Sequence, residues 1–198
     1  DAHYQSHVRP EQWIVQTENP RKVMAELAIM FNNYPANSLK MVGITGTNGK
    51  TTTTWMLSHI LATTLPDTSI GTIGTIGQRI NGTPIKKGTF TTPESPELQA
   101  DLRYFVDSGC SICIMEVSSI GLMMQRVGGI FFDVTAFTNF TQDHLDIHGS
   151  MTHYLEEKQK LFSDHVHESS TSILVADHVA IKETAVTKGI CQTISTRG

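Results

Sequence analysis

A chain of 198 residues with 39% hydrophobic residues is long enough to bury one core, or one domain plus part of another. Its net charge of −4 supplies no field to attract nucleic acid or an anionic membrane surface. No apolar run reaches the roughly 20 residues that cross a bilayer, and no secretory signal pattern opens the chain, so a cytoplasmic protein is expected. The first residue is Asp1 rather than methionine, which reads as a fragment.

Trp13-Ile14-Val15 reads as a short strand. A helix is predicted over 19–34, with Val23, Leu27, Met30 and Phe31 as its apolar stripe, Pro20 in its first turn and Pro35 as its stop. A strand starts near Leu39 and runs into the glycine-rich turn discussed below. Thr68–Ile76 reads as a strand whose Gly71 and Gly74 allow close backbone approach. Asn81-Gly82 is a type I′ hairpin signal. Leu98, Leu102 and Phe105 mark a helix, and Ile112–Val117 and Val134–Phe137 read as buried strands.

Further on, Tyr154–Phe162 reads as a helix, Ile173–Ala176 as a strand, 178–188 as a helix and Thr193–Ser195 as a last strand. Strands alternating with helices predict an α/β domain with a mostly parallel sheet. Cys110 and Cys113 have the spacing of a redox or zinc half-site. With no second pair they are expected to be buried structural thiols, and Cys191 completes no framework.

The chemistry concentrates at strand ends, where open α/β sheets bind ligands. Gly43-Ile44-Thr45-Gly46-Thr47-Asn48-Gly49-Lys50-Thr51-Thr52 joins an apolar strand to a helix (Met56, Leu57, Ile60, Leu61). Such a turn leaves backbone N–H groups free to cradle phosphate, with Lys50 as a point charge for the β/γ-phosphates and the Thr51 hydroxyl as a Mg²⁺ ligand. The usual spacing would put a glycine at Ile44, so this is a variant phosphate loop. Glu116 ends an apolar strand, as the acid of a Walker B strand does, and fits a metal ligand better than a solvated surface acid.

Phe137-Thr138-Asn139 leads into Asp143-His144-Leu145-Asp146-Ile147-His148, which either ligates metal or caps the following helix. Lys158 falls inside the apolar stripe of Tyr154, Leu155, Leu161 and Phe162. Burying an unpaired ammonium costs several kcal/mol. The lysine therefore either snorkels to water or reacts with CO₂ to give an anionic carbamate suited to a hard cation.

These blocks resemble the Mur ligase family, and within it the UDP-N-acetylmuramoyl-tripeptide synthetases. The likeness rests on the phosphate loop, Thr91-Thr92-Pro93-Glu94, Met115-Glu116-Val117-Ser118-Ser119, and the run from Thr138 through Asn139 and the Asp143–His148 cluster to Met151. The resemblance implies a three-layer, P-loop NTPase-like central domain over 39–198, incomplete, preceded by a remnant of a UDP-binding domain in 1–38 and lacking the C-terminal ligase domain. It implies an ATP-dependent ligase of peptidoglycan precursor synthesis. That enzyme adds the third amino acid to UDP-N-acetylmuramoyl-L-alanyl-D-glutamate through an acyl phosphate, and these 198 residues alone are not expected to ligate.

By the same resemblance, Gly46, Thr47, Asn48, Gly49, Lys50, Thr51 and Thr52 bind ATP, with Asn139 near the phosphates. Thr51, Glu116, His144 and a carbamylated Lys158 serve Mg²⁺. Thr91, Thr92, Ser118 and Arg126 hold the UDP-muramoyl-dipeptide. Lys50, Glu116, His144 and Lys158 are the catalytic set, and no protein partner is implied. The chain departs from its relatives at Ile120, usually histidine, and at Met124, polar in some of them. Folylpolyglutamate synthetase, which shares the loop and the modified lysine, is one competing reading, and a non-catalytic nucleotide-binding paralogue is another.

Overall fold

Strands that are apolar on both faces need cover on both sides, and this chain supplies it with helices. The computed structural model describes residues 16–175 and 188–195, together with Ile14, Asp177 and Ile181. The central strand β1 (Lys40–Thr45) is buried throughout except at Lys40. It lies parallel between β5 (Cys110–Glu116) and β6 (Phe132–Phe137), with Ile44 opposite both Glu116 and Ala136. Around it run β2 (Ser69–Gly74), β3 (Gly77–Ile80), β4 (Thr83–Lys86), β7 (Val166–Val175) and β8 (Ile190–Ile194), in the order β4-β3-β2-β5-β1-β6-β7-β8. Only the β2-β3-β4 edge is antiparallel among these pairings.

Successive β1 residues face opposite layers. Val42 and Ile44 join Ile70 and Ile114 under Leu57 and Leu61 of α2 (Lys50–Thr64). Met41 faces the larger cluster, which includes Leu98, Leu102 and Phe105 of α3 (Ser95–Asp107), Leu122 of α4 (Ser119–Met123), and Leu161 and Phe162 of α6 (Met151–Ser163). The result is the expected three-layer α/β arrangement. It aims the carboxyl ends of β1, β2, β5 and β6 at one edge.

Several local expectations need correction. The first helix, α1, is Pro20–Phe31, capped by Asn19, and it stops short of Pro35 because Asn33 and Tyr34 take left-handed φ values of 55° and 49°. Its buried residues are Ala25 and Ala28, while Leu27, Met30 and Phe31 of the supposed stripe face outward, Phe31 at 91% exposure. A Cβ on Gly128 would meet the Ala25 Cβ at 3.1 Å, so two small residues let the backbones approach, and a search for large apolar residues overlooks that face.

Strand β7 begins seven residues before Ile173, since its outer half is polar (His167-Glu168-Ser169-Ser170-Thr171-Ser172) and held by hydroxyls. Ser170 donates to the Phe132 carbonyl at 2.7 Å, and Thr135 and Ser172 share a hydrogen bond of 2.9 Å. Asn81 and Gly82 do form the type I′ turn, with φ of 48° and 79°. Ile14 is not in a strand; Trp13, Val15 and Ala176 lie outside the described residues, as does most of 178–188, of which Ile181 is helical and Lys188 is not. Cys110 and Cys113 are both buried, and burial pushes the Cys113 thiol far above its ordinary range.

Candidate active site

The turn between β1 and α2 is shaped by two glycines, Gly46 (φ 147°) and Gly49 (φ 84°), the latter forming the N-terminal boundary of α2 with no side-chain cap. A Cβ on Gly46 would run into the Thr138 hydroxyl, so a larger residue does not fit. The loop is clamped from the end of β6. Asn139 pairs both ways with Asn48, its Oδ1 accepting from the Asn48 N–H at 3.0 Å and its Nδ2 donating to the Asn48 carbonyl at 2.9 Å. Thr138 donates to the same carbonyl at 2.7 Å, and the Thr47 N–H donates to the Asn139 carbonyl at 3.0 Å. The Thr47 hydroxyl bridges to both backbone groups of Thr141 and accepts from the Tyr154 hydroxyl at 3.3 Å. Asn139, expected beside the phosphates, thus braces the loop that would hold them.

Two lysines converge on this turn. Lys50 Nζ donates to the carbonyls of Gly46 (2.8 Å) and Thr47 (3.0 Å). Lys158 Nζ donates to the Gly46 carbonyl at 3.0 Å and lies 4.5 Å from the centre of the Tyr154 ring. Lys158 is 1% exposed, so its head does not snorkel to water. Burial, reinforced by Lys50 and opposed by Asp143, pulls its pKa down to about 7, and burial lowers that of Lys50 as well.

Glu116 closes the third side and is also 1% exposed, which rules out a solvated acid. Its Oε2 accepts from the hydroxyls of Thr51 (2.8 Å) and Thr75 (3.1 Å), and its Oε1 from the Thr75 N–H (3.0 Å). Thr75 in turn lies 3.0 Å from the Thr91 hydroxyl. Thr75 follows β2, and nothing in its own sequence context marks it.

Thr91, Thr92, Ser118 and Arg126 do gather beside Glu116. Thr92 Oγ1 donates to the Glu116 carbonyl (3.0 Å) and accepts from the Ser118 N–H (2.9 Å), while Ser118 Oγ caps α4 by accepting from Gly121 N–H. Arg126 is buried, paired with Glu94 at 2.6 Å, bonded to the Thr92 carbonyl at 3.0 Å and stacked over Phe90. Arg21 meets the other Glu94 oxygen at 3.1 Å. The guanidinium therefore fixes the Thr91–Glu94 segment from within.

His144 sits apart from this group. At φ 51° it forms the boundary of the short helix α5 (Leu145–His148). Its Nε2 lies 3.5 Å from Asp143 and its ring 6.2 Å from Tyr154, and it makes no hydrogen bond to Thr51, Glu116 or Lys158. His148 turns inward to Ser119 Oγ at 3.0 Å. Among the described residues no three His, Cys, Asp or Glu side chains converge as a metal site. What the loop does offer is a hydroxyl and a carboxylate in contact, the oxygen donors a magnesium ion selects, beside a glycine turn on which two lysines converge. The residues fit a magnesium-bound triphosphate.

The model of the Mur ligase middle domain matches residues 44–196. The chain belongs to the Mur ligase family. This Mur ligase chain is 44% identical over 154 residues to a UDP-N-acetylmuramoyl-L-alanyl-D-glutamate–2,6-diaminopimelate ligase of Synechococcus elongatus, covering 78% of the chain and 30% of that protein. It is 44% identical over 149 residues to the ligase of the same name from Caldanaerobacter subterraneus subsp. tengcongensis, covering 75% and 30%. It thus spans about a third of the length of these curated relatives.

A solved ligase of the same name superposes with a TM-score of 0.76 at 25% identity, covering 96% of this chain and 39% of the other. The Mycobacterium tuberculosis folylpolyglutamate synthase complexed with ADP and AMPPCP gives 0.72 at 15% identity over 88% and 47%, a likeness of fold alone. Among the described residues no helix is long and apolar enough to cross a membrane.

Proposed function

We propose that this Mur ligase chain carries the ATP site of a ligase that joins an amino acid to UDP-N-acetylmuramoyl-L-alanyl-D-glutamate through an acyl phosphate. The amino acid proposed is 2,6-diaminopimelate, the one named for the relatives, and the proposed compartment is the cytoplasm. The observation that carries the reading is the buried Lys158 side chain, its Nζ bonded to Gly46 of the phosphate loop beside the Thr51–Glu116 pair. Burial favours the neutral amine at Lys158 over the ammonium, and a carbamate formed there would add two oxygens for a second cation.

Each residue then has a task. The backbone N–H groups from Gly46 to Thr52 and the Lys50 ammonium bind the phosphates, with Asn139 holding the loop in shape. Thr51 and Glu116 would hold magnesium, with the carbamate of Lys158 supplying oxygens for a second ion. His144, paired with Asp143 and not bonded to Thr51, Glu116 or Lys158, would have to swing toward them to join the metal-binding set. When bound, magnesium neutralises charge that gathers on the phosphate oxygens. The carbamate forms when the neutral Lys158 amine attacks the carbon of CO₂ and releases one proton. Thr91 and Ser118 face the muramoyl dipeptide, and Thr92 and Arg126 keep them in register.

Given MgATP, the muramoyl dipeptide and 2,6-diaminopimelate, the protein that carries this chain is expected to release ADP and phosphate in step with amide formation. Lys158→Ala is expected to abolish it. Full ligation by that variant, or ATP turnover with folate and glutamate in place of the muramoyl substrate, would overturn the reading.

A further inference from the structure

The turn between β2 and β3 does something a turn does not require. A threonine serving only its own turn bonds to backbone two or three residues away. Thr75 instead directs its N–H and its hydroxyl to Glu116, 41 positions along the chain, while the turn itself is closed by the Gly74–Gly77 pair. The residue before it is hollowed for the same purpose, since a Cβ on Gly74 would collide with the Glu116 carboxylate. The carboxylate is thus received by a cradle of one missing side chain and two donors.

The directions of these bonds carry the argument further. A carboxylate only accepts, so the single proton of Thr51 and the single proton of Thr75 both point at Glu116 Oε2. The lone pairs of Thr51 are left for a cation. With its proton committed, Thr75 Oγ1 can only accept from Thr91, 3.0 Å away. A continuous line, Thr91 to Thr75 to Glu116 to Thr51, joins the threonine proposed to face the dipeptide to the pair proposed to hold magnesium.

We infer that Thr75 is a positioning residue for magnesium. It fixes Glu116 in the rotamer that meets Thr51, and it ties that rotamer to the state of Thr91. A glutamate has three side-chain torsions to restrain, so a carboxylate already held loses less freedom when the metal arrives. The inference rests on the proposal that Thr51 and Glu116 are magnesium ligands. Thr75 is itself exposed, so replacing it opens no cavity in the core.

The test measures ADP binding to the purified protein that carries this chain by calorimetry, in EDTA and across a Mg²⁺ titration, for the wild type, Thr75→Val and Thr75→Ser. Valine keeps the shape and the N–H and removes only the hydroxyl. It is expected to weaken Mg²⁺ binding about tenfold, because Glu116 is no longer held in place for the metal, with metal-free ADP affinity unchanged and the unfolding midpoint lowered by the lost bond to a buried carboxylate. Serine is expected to restore Mg²⁺ binding to within about twofold of wild type, because it restores that bond. A valine variant that binds Mg²⁺ as the wild type does, or that loses metal-free ADP binding equally, overturns the inference alone. A wild-type chain whose ADP binding ignores Mg²⁺ overturns the proposed function and the inference together.

Discussion

Lys50 and Lys158 donate to the same acceptor, the Gly46 carbonyl, at 2.8 and 3.0 Å. Two ammonium groups on one oxygen repel, and burial removes the water that would screen them. The arrangement favours a neutral amine at the deeper of the two, Lys158, which is the form able to react with CO₂. A change at Lys158 would therefore be felt at Lys50 through one shared backbone oxygen.

With its pKa lowered to about 7, roughly half of Lys158 is neutral at pH 7, against a few parts in ten thousand for a lysine at 10.5. Protein equilibrated with ¹³CO₂ at pH 8 is expected to show a carbamate carbon resonance that is absent from Lys158→Arg. The signal should fade as pH drops below about 7. No resonance at pH 8 would sink the modification.

The same shift sets a stability trend. The folded chain binds the Lys158 proton less tightly than the unfolded chain does, so between about 7 and 10.5 the unfolded state carries more protons and stability rises with pH. In CO₂-free buffer, Lys158→Met is expected to be more stable than wild type at pH 7. That advantage should narrow by up to about 1.4 kcal/mol per pH unit toward pH 10. Chemical denaturation across this range, with a gap that stays constant, would show the burial cost to be absent.

Asn139→Ala removes both bonds to Asn48 and leaves the loop held by Thr138 and Thr141. A loss of about 1–3 kcal/mol in stability is expected. Nucleotide affinity should fall about tenfold, since the loop must be ordered by the ligand. Thermal unfolding and ADP titration check the two effects separately.

Arg126→Leu strands the Glu94 carboxylate with Arg21 alone, in a pair that is only part-buried on the Glu94 side. About 2 kcal/mol of destabilisation is expected, short of the 3–5 kcal/mol of a fully buried pair. Glu94→Leu combined with Arg126→Leu should cost less than the two single changes added together. Additive costs in denaturant melts would mean that the pair is not coupled.

Much of the site was legible because its residues break the local pattern. Gly46 and Gly49 interrupt a strand-to-helix junction, Glu116 ends an apolar run, and Lys158 stands in an apolar stripe, so each announces a constraint that burial alone does not explain. Thr75 carries no such mark, because an exposed threonine in a turn is ordinary until its partner is known. Asn139 and Arg126 were found by resemblance, yet both point inward onto backbone, a distinction that needs coordinates. The outward face of α1 misled for a related reason: hydrophobic spacing assumes that large residues choose the buried side, and here Ala25 and Ala28 take it, Ala25 in close approach to Gly128.

The glycine motif and its clamp lie far apart in the chain, Asn48 and Asn139 being 91 positions from one another. A nascent polypeptide that has delivered Gly46–Thr52 but not Asn139 owns the whole signature but lacks the bonds that hold the turn in shape. The shape of the turn is thus completed only when β6 has docked on β1 and brought Thr138 and Asn139 against it.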